Sequence, residues 1–107
     1  VMLSEALAAV GQQPARVRIA WGLLRLLQRG ETAALVENGA ITLPFRQRDL
    51  ADALGLSAVH ANKMLAALRE EGIATWRDGR LVVHDRPALA RAAGVAEDGP
   101  RRPRALI

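Results

Sequence analysis

The stretch QRDLADALGLSAVHANKMLAALREE restricts the fold through the spacing of its small residues. Where two helices cross closely only a small side chain fits, and Ala51 occupies that point of the pattern. The turn between such helices needs a residue that tolerates positive φ, which Gly55 supplies. Ser57 can then cap a second helix by accepting a hydrogen bond from its early N–H groups. The spacing predicts two short helices, about Gln47 to Leu54 and Ala58 to Glu71, joined by a tight turn.

The second of these helices has one apolar side. Ala61, Met64, Leu65 and Leu68 follow the i, i+3, i+4, i+7 spacing of a single buried stripe. When that stripe is buried, the opposite side faces outward with polar and small residues that a core does not need. The residues expected there are His60, Asn62, Lys63, Ala66, Ala67 and Arg69, preceded by Ala58 and Val59 on the opening turn. The pattern is that of a helix-turn-helix, which presents its second helix to the major groove of DNA.

The flanking segments predict the rest of a winged helix-turn-helix. A long amphipathic helix precedes the motif and ends at Gly30, and a polar loop over residues 31–40 leads to a short strand around 41–43. The apolar stripe of the long helix is Val17, Ala20, Trp21, Leu24 and Leu27. After the motif, the β-type runs IATW and RLVVH flank Asp78-Gly79, a strong hairpin-turn signal. A short helix in RPALARAAG completes a fold class that is mainly α with a small antiparallel β-sheet.

Composition limits the function classes. The chain has 107 residues, which suits one domain, and a formal charge of +4, which favours an anionic partner such as nucleic acid or an acidic membrane surface. Because it has no cysteine, its residues cannot form disulfides, thiolate metal sites, iron–sulfur clusters or a cysteine nucleophile. No apolar run approaches the roughly 18 residues of a membrane span and no signal peptide opens the chain, so we expect a cytoplasmic protein without a membrane partner.

We expect three segments along the chain. Residues 1–13 have the apolar spacing of the last turns of a longer helix, followed by a hinge, and the chain starts with Val1 rather than methionine, which indicates a fragment of a longer protein. Residues 14–95 form the winged helix-turn-helix domain. Residues 96–107 are rich in proline, glycine and arginine, a composition typical of a mobile basic tail.

The outward face of the second motif helix suits the edges of DNA bases. Lys63 can donate to guanine O6 or N7, His60 and Asn62 can donate or accept, and Val59 can contact a thymine methyl group. A solvated helix face that happens to carry polar residues is the alternative. The residues predicted to read bases are Ala58, Val59, His60, Asn62 and Lys63.

Arginines at two places predict contacts with the DNA backbone. Arg46 and Arg48 stand at the start of the first motif helix, where the helix dipole disfavours a cation by about 0.3–1 kcal/mol unless an anion binds there. Asp49 offsets part of this cost, and a merely tolerated surface cost is the alternative. Arg77 and Arg80 bracket the hairpin tip, where a wing would reach the sugar–phosphate backbone, although a charged tip also serves solubility.

The residues LPFRQRDLADALGLSAVHANKMLAALREEGI, the hairpin and DRPALARAAG together resemble the C-terminal DNA-binding domain of the Crp–Fnr family. The resemblance covers about residues 14–95. It implies a dimeric bacterial transcription regulator that binds double-stranded DNA and works with RNA polymerase, with residues 1–13 ending the helix through which members dimerise. A sensory N-terminal β-barrel domain outside these residues would hold an effector of unknown identity, and we expect no cofactor in this fragment itself.

The resemblance also assigns backbone contacts. Ser57 and His60 would lie near phosphate, as would Arg46 and Gln47. With the hairpin arginines and Arg16 of the long helix, the full set predicted to contact phosphate is Arg16, Arg46, Gln47, Ser57, Arg77 and Arg80.

Some positions depart from the family pattern. Members such as the cyclic-AMP receptor protein carry Arg, Glu and Arg where this chain has Ala58, Val59 and Lys63. The operator of that protein is therefore not carried over to this chain. Arg46 stands where a threonine is usual, which changes the helix cap.

Two other function classes remain as alternatives on sequence grounds. A winged helix can serve as a protein–protein module, which would bind through Val59 and the flat Ala66–Ala67 surface with little salt dependence. An enzyme has the least support, since His60 and His84 are the only histidines and Asp85 follows His84 without a nucleophile or third partner at a useful spacing. We therefore expect neither catalytic residues nor a metal site.

Overall fold

The computed structural model describes residues 14–95. The helix end predicted over residues 1–13 and the tail predicted over 96–107 lie outside the described residues. The elements are α1 (Ala15–Thr32), β1 (Ala40–Thr42), α2 (Gln47–Ala53), α3 (Ala58–Glu70), β2 (Ala74–Arg77), β3 (Arg80–Val83) and α4 (Arg86–Ala92). Helices packed on one small antiparallel sheet confirm the predicted fold class.

The buried face of α1 is wider than the predicted stripe. Val17 and Trp21, two members of that stripe, are only half-buried, while Ile19 and Leu23, which lie outside it, are almost completely enclosed. The face is wide because α1 packs against α3, α4 and β1 rather than against a single neighbour. Its buried residues are Ala15, Ile19, Ala20, Gly22, Leu23, Leu24, Leu27 and Gly30.

The predicted end of this helix at Gly30 is wrong, because α1 continues to Thr32. Gly30 lies inside the helix, and the side chain of Ile41 packs so closely against it that a Cβ atom has no room. Just after the helix the chain changes direction at Ala34, which has φ 59°. The Leu35 N–H donates to the Gly30 carbonyl at 2.8 Å and closes this turn. The glycine therefore marks a close approach of β1 to α1, and an alanine takes the left-handed position that usually falls to glycine.

The segment after α1 is shorter than the predicted loop, since the helix takes its first two residues. It ends in a tight turn, where Glu37 and Ala40 exchange backbone hydrogen bonds of 2.9 and 3.0 Å across Asn38-Gly39. The Val83 N–H donates to the Gly39 carbonyl at 2.8 Å, which joins this turn to the end of β3.

The wing is a hairpin that β1 extends into a three-stranded sheet in the order β1-β3-β2. Leu81 of the central strand pairs with Ile41 on one side and with Trp76 on the other. Asp78 and Gly79 form the predicted hairpin turn, with φ values of 54° and 76° that fit a type I′ turn. β1 lies one residue earlier than the predicted strand.

The core lies between α1, α3, α4 and the sheet. Leu68 of α3, Leu81 of β3 and Leu89 of α4 are fully enclosed in one cluster with the leucines of α1. α3 is thus fixed to the domain by the stripe that the sequence predicted. Within residues 14–95, no helix combines the length and apolarity that crossing a membrane requires.

Candidate nucleic-acid interface

The turn between α2 and α3 forms as predicted. Ala51 is 0% exposed, which lets α2 pack closely on α3. Gly55 has φ 71°, and the Leu56 N–H donates to the Ala51 carbonyl at 2.8 Å, which closes the turn. The positions of the small residue and of the positive φ value are confirmed.

A residue distant in sequence holds this turn in place. Arg18 of α1 donates from Nη1 to the Leu54 carbonyl at 2.9 Å and to the Gly55 carbonyl at 3.3 Å. Both carbonyls stand at the C-terminal end of α2, where a helix leaves acceptors unsatisfied and favours a cation. The sequence does not reveal this role of Arg18, because nothing in the motif points to a partner 36 residues away.

The start of α3 is fixed by its cap. Ser57 has extended backbone angles, and its Oγ accepts a hydrogen bond from the His60 N–H at 3.1 Å. The predicted cap is confirmed. It sets the residue at which the helix begins, and therefore which side chains lie in the first turn.

The five residues predicted to read bases are all exposed: Ala58, Val59, His60, Asn62 and Lys63. On the opposite side, Ala61, Leu65 and Leu68 are buried and Met64 is half-buried, as predicted. Ala66 and Ala67 are half-buried, so the predicted outward surface is less open in the second half of the helix. The first two turns of α3 thus project polar and small side chains away from the domain.

The start of α2 is bonded to the wing. Gln47 donates from Nε2 to the Trp76 carbonyl at 2.9 Å, and the Leu43 N–H donates to the Gly79 carbonyl at 2.8 Å. The first bond joins the start of α2 to β2, and the second joins the segment before α2 to the hairpin tip. The exposed side chain of Arg46 and the wing arginines therefore lie at the same end of the domain.

The cap of α2 is incomplete. Asp49 Oδ2 accepts a hydrogen bond from the Arg46 N–H at 2.7 Å. The reciprocal bond of a capping box needs an acceptor on the first residue, and an arginine side chain has none. Asp49 therefore places one negative charge in the first turn, which offsets part of the cost of Arg46 and Arg48, as the sequence predicted.

Two like charges face each other at the tip of the wing. Arg77 and Arg80 are paired across β2 and β3, and both are exposed. Like charges placed directly opposite each other destabilise a strand pair. An anion bound between or beside them would relieve this repulsion.

Arg16 lies apart from the other residues predicted to contact phosphate. Its Nη1 and Nη2 donate to the two carboxylate oxygens of Glu71 at 2.6 and 2.8 Å. These hydrogen bonds lower the pKa of the Glu71 carboxyl and raise the pKa of the Arg16 guanidinium. Glu71 is the C-cap of α3 and Ser57 is its N-cap, so Arg16 contacts the helix end that lies about 20 Å from Ser57.

The histidines do not come together. His60 is on the exposed face of α3, whereas the ring Nε2 of His84 is 3.0 Å from Thr75 Oγ1 on the neighbouring strand. In the described part of the chain, no three metal-ligating side chains form a group that could hold an ion.

Comparison with known proteins relates this geometry to a family. The sequence pattern of the Crp-like helix-turn-helix domain matches residues 17–92. The nitrogen fixation regulation protein FixK of Azorhizobium caulinodans is 33% identical over 88 residues, which are 81% of this chain and 36% of that protein. This chain therefore corresponds to about a third of that relative.

Solved structures share the fold. FixK2 from Bradyrhizobium japonicum superposes with a TM-score of 0.64 at 27% identity, over 82% of this chain and 42% of that one. A transcriptional regulator of the CRP family from Thermus thermophilus gives 0.66 at 28% identity, over 90% and 49%. The catabolite activator protein of Thermus thermophilus gives 0.60 at 29% identity, over 88% and 40%. This chain belongs to the Crp-like helix-turn-helix domain family, and it is a DNA-binding domain of the Crp–Fnr kind.

Proposed function

We propose that the domain recognises specific sequences of double-stranded DNA by placing the first two turns of α3 in the major groove. The observation that carries the proposal is the division of α3 into an exposed polar side and an opposite side buried in the core. A major groove about 12 Å wide accepts a helix and displays a distinct pattern of donors, acceptors and methyl groups for each base pair. Base reading is assigned to Ala58, Val59, His60, Asn62 and Lys63.

The backbone contacts come from two neighbouring places. Arg77 and Arg80 at the wing tip and Arg46 before α2 offer guanidinium groups at one end of the domain. Gln47, whose amide is already bonded to β2, belongs to the same group, and Ser57 adds a contact at the start of α3. Such contacts fix the register and orientation of a domain without reading sequence.

Arg16 would reach a different part of the duplex, because it lies beside the far end of α3.

The whole protein is proposed to be a transcription regulator. Symmetric dimers of such domains bind half-sites about 34 Å apart, one turn of the double helix. The dimer contacts, the effector of unknown identity and its sensor domain are assigned to the part of the protein before α1. Contact with RNA polymerase and a cytoplasmic location follow from the same proposal.

Salt dependence tests the proposal. The 107-residue chain is used to select duplexes from a random pool, and the affinity for the selected and a scrambled duplex is measured between about 50 and 200 mM salt. We expect tighter binding to the selected duplex, and affinity that falls with salt at a log–log slope of about −0.9 per neutralised phosphate. A folded chain that binds with a flat salt response, or binds both duplexes alike, would contradict sequence-specific DNA binding.

A further inference from the structure

One apolar side chain stands on the proposed groove face without a structural reason. Leu35 and Val59 are the exposed large hydrophobic residues of the described region, at 65% and 72%. Val59 is the second residue of α3 and is not packed against the core cluster. Valine also favours a helix less than the polar residues usual at exposed helix positions. Neither packing nor helix stability accounts for a valine at this position.

We propose that Val59 is a specificity-determining residue that contacts the C5-methyl group of a pyrimidine in the major groove. The inference rests on the proposed function and adds one chemical group to it. The C5-methyl group of thymine is the apolar group that base pairs display in the major groove. Cytosine methylated at C5 presents the same group from the same ring position.

The shape of valine suits this contact. A β-branched side chain in a helix has one strongly preferred χ1 rotamer, so the two methyl groups of Val59 are oriented before DNA arrives. Little side-chain freedom is then lost on binding. The preceding residue, Ala58, projects only a methyl group and does not obstruct an approach to the base edge.

Lys63 sets the distance to a second base. Val59 and Lys63 are four residues apart and share one side of α3. Their separation along the helix axis is about 6 Å, and base pairs are spaced by about 3.4 Å. The methylated pyrimidine is therefore expected within about two base pairs of the base that is assigned to Lys63.

The absence of a carboxylate sharpens the preference for a methyl group. From residue 57 to residue 69 no side chain is acidic, and the carboxylates of α3 begin at Glu70. Glu and Asp accept from the amino group of cytosine, and this stretch carries neither. The methyl contact of Val59 therefore meets no carboxylate that would favour cytosine, while His60 and Asn62 keep acceptors on the same face.

Removing single methyl groups from DNA tests the inference. In the duplex selected by the 107-residue chain, each thymine is replaced in turn by deoxyuridine, which lacks only that methyl group. We expect one position in each half-site to lose about fourfold in affinity, the value of one buried methyl-sized group. Val59→Ala is expected to bind the thymine and uracil duplexes equally at that position. Lys63→Ala should retain the difference.

A second variant tests how many methyl groups of the side chain take part, and a second base tests which pyrimidine can supply the methyl group. Val59→Thr keeps the β-branch and one methyl group, so a smaller thymine–uracil difference is expected. Replacing the thymine pair with 5-methylcytosine·guanine or cytosine·guanine distinguishes the source of the methyl group. Methylcytosine can supply the methyl group if its duplex binds about fourfold more tightly than the cytosine duplex, and thymine alone supplies it if these two duplexes bind alike.

The inference and the proposed function fail in different ways. Selective, salt-dependent binding in which uracil is tolerated at every position overturns the role of Val59 alone. The same uracil effect in wild type and Val59→Ala also overturns it. If the folded wild-type chain shows no selective binding to any duplex, both proposals are overturned.

Discussion

The two halves of α3 have different surroundings. In residues 58–63 every side chain except Ala61 is exposed, whereas residues 64–70 contain the buried Leu65 and Leu68 and half-buried residues between them. One helix thus fixes itself to the core with its second half and leaves its first half open to solvent. Because different residues pack against the core and face solvent, mutations should separate effects on stability from effects on DNA recognition.

The largest expected effect is on stability, in the second half. Leu68 is 0% exposed, so Leu68→Ala removes buried methyl groups, leaves a cavity and should lower the free energy of unfolding by about 2–5 kcal/mol. Denaturant unfolding followed by circular dichroism measures the change. Val59→Ala is the matched control in the first half, and it should change stability by less than about 0.5 kcal/mol. Equal losses in the two variants would break the contrast between the halves.

The next effect is on recognition, in the first half. Lys63→Ala should cost about 1–3 kcal/mol of discrimination at one base position and leave unfolding unchanged, because the side chain is exposed. Competition binding with single-base variants of the selected duplex measures the discrimination. Arg80→Ala is the matched control, which should weaken binding to all sequences alike and reduce the salt slope by about 1. A uniform loss in Lys63→Ala would place that lysine on the backbone instead.

A smaller effect is expected at Ser57, the residue before the first half of α3. Ser57 caps α3 through the His60 N–H, so Ser57→Ala should lower the free energy of unfolding by about 1 kcal/mol. Ser57→Asp keeps an acceptor at this position and should restore stability, while its negative charge should weaken DNA binding if phosphate lies nearby. Unfolding curves and binding isotherms of the two variants test these outcomes. A stable Ser57→Asp with unchanged DNA affinity would argue against a phosphate at the cap.

The smallest effect concerns the far end of α3. The hydrogen bonds from Arg16 lower the pKa of Glu71 in the folded state below its value in the unfolded chain. The pair therefore stabilises the fold fully above the unfolded-state pKa, and this stabilisation is lost as the pH falls through the folded-state pKa. In Glu71→Gln the free energy of unfolding should therefore fall less steeply than in wild type as the pH drops below about 4.3. Between about pH 6 and 8, the gap in unfolding free energy between the two proteins should stay constant. Unfolding at several pH values measures this. A change confined to neutral pH would contradict the assignment.

The helix-turn-helix and the wing tip could be predicted because their signals are local. A buried alanine, a left-handed glycine and a serine cap act within a few residues of each other, and the exposed side of α3 follows from its apolar spacing. Asp78-Gly79 sets its own turn for the same reason. These features depend on short-range sterics and hydrogen bonds, which the order of residues specifies directly.

The end of α1 could not be predicted in this way. A glycine after an apolar stripe usually ends a helix, but Gly30 lies inside one, where the side chain of Ile41 packs against it. The width of the buried face of α1 has the same origin, since it depends on how many elements surround the helix.

By itself, the sequence determined the pair of short helices, the side of α3 that is buried, the cap at Ser57 and the hairpin turn. Only the tertiary structure decided that Arg18 holds the turn, that Gln47 joins α2 to the wing and that Arg16 binds Glu71. The physical reason is range. Periodicity and turn chemistry operate between residues close in the chain, whereas these side chains meet partners that folding alone brings within hydrogen-bonding distance.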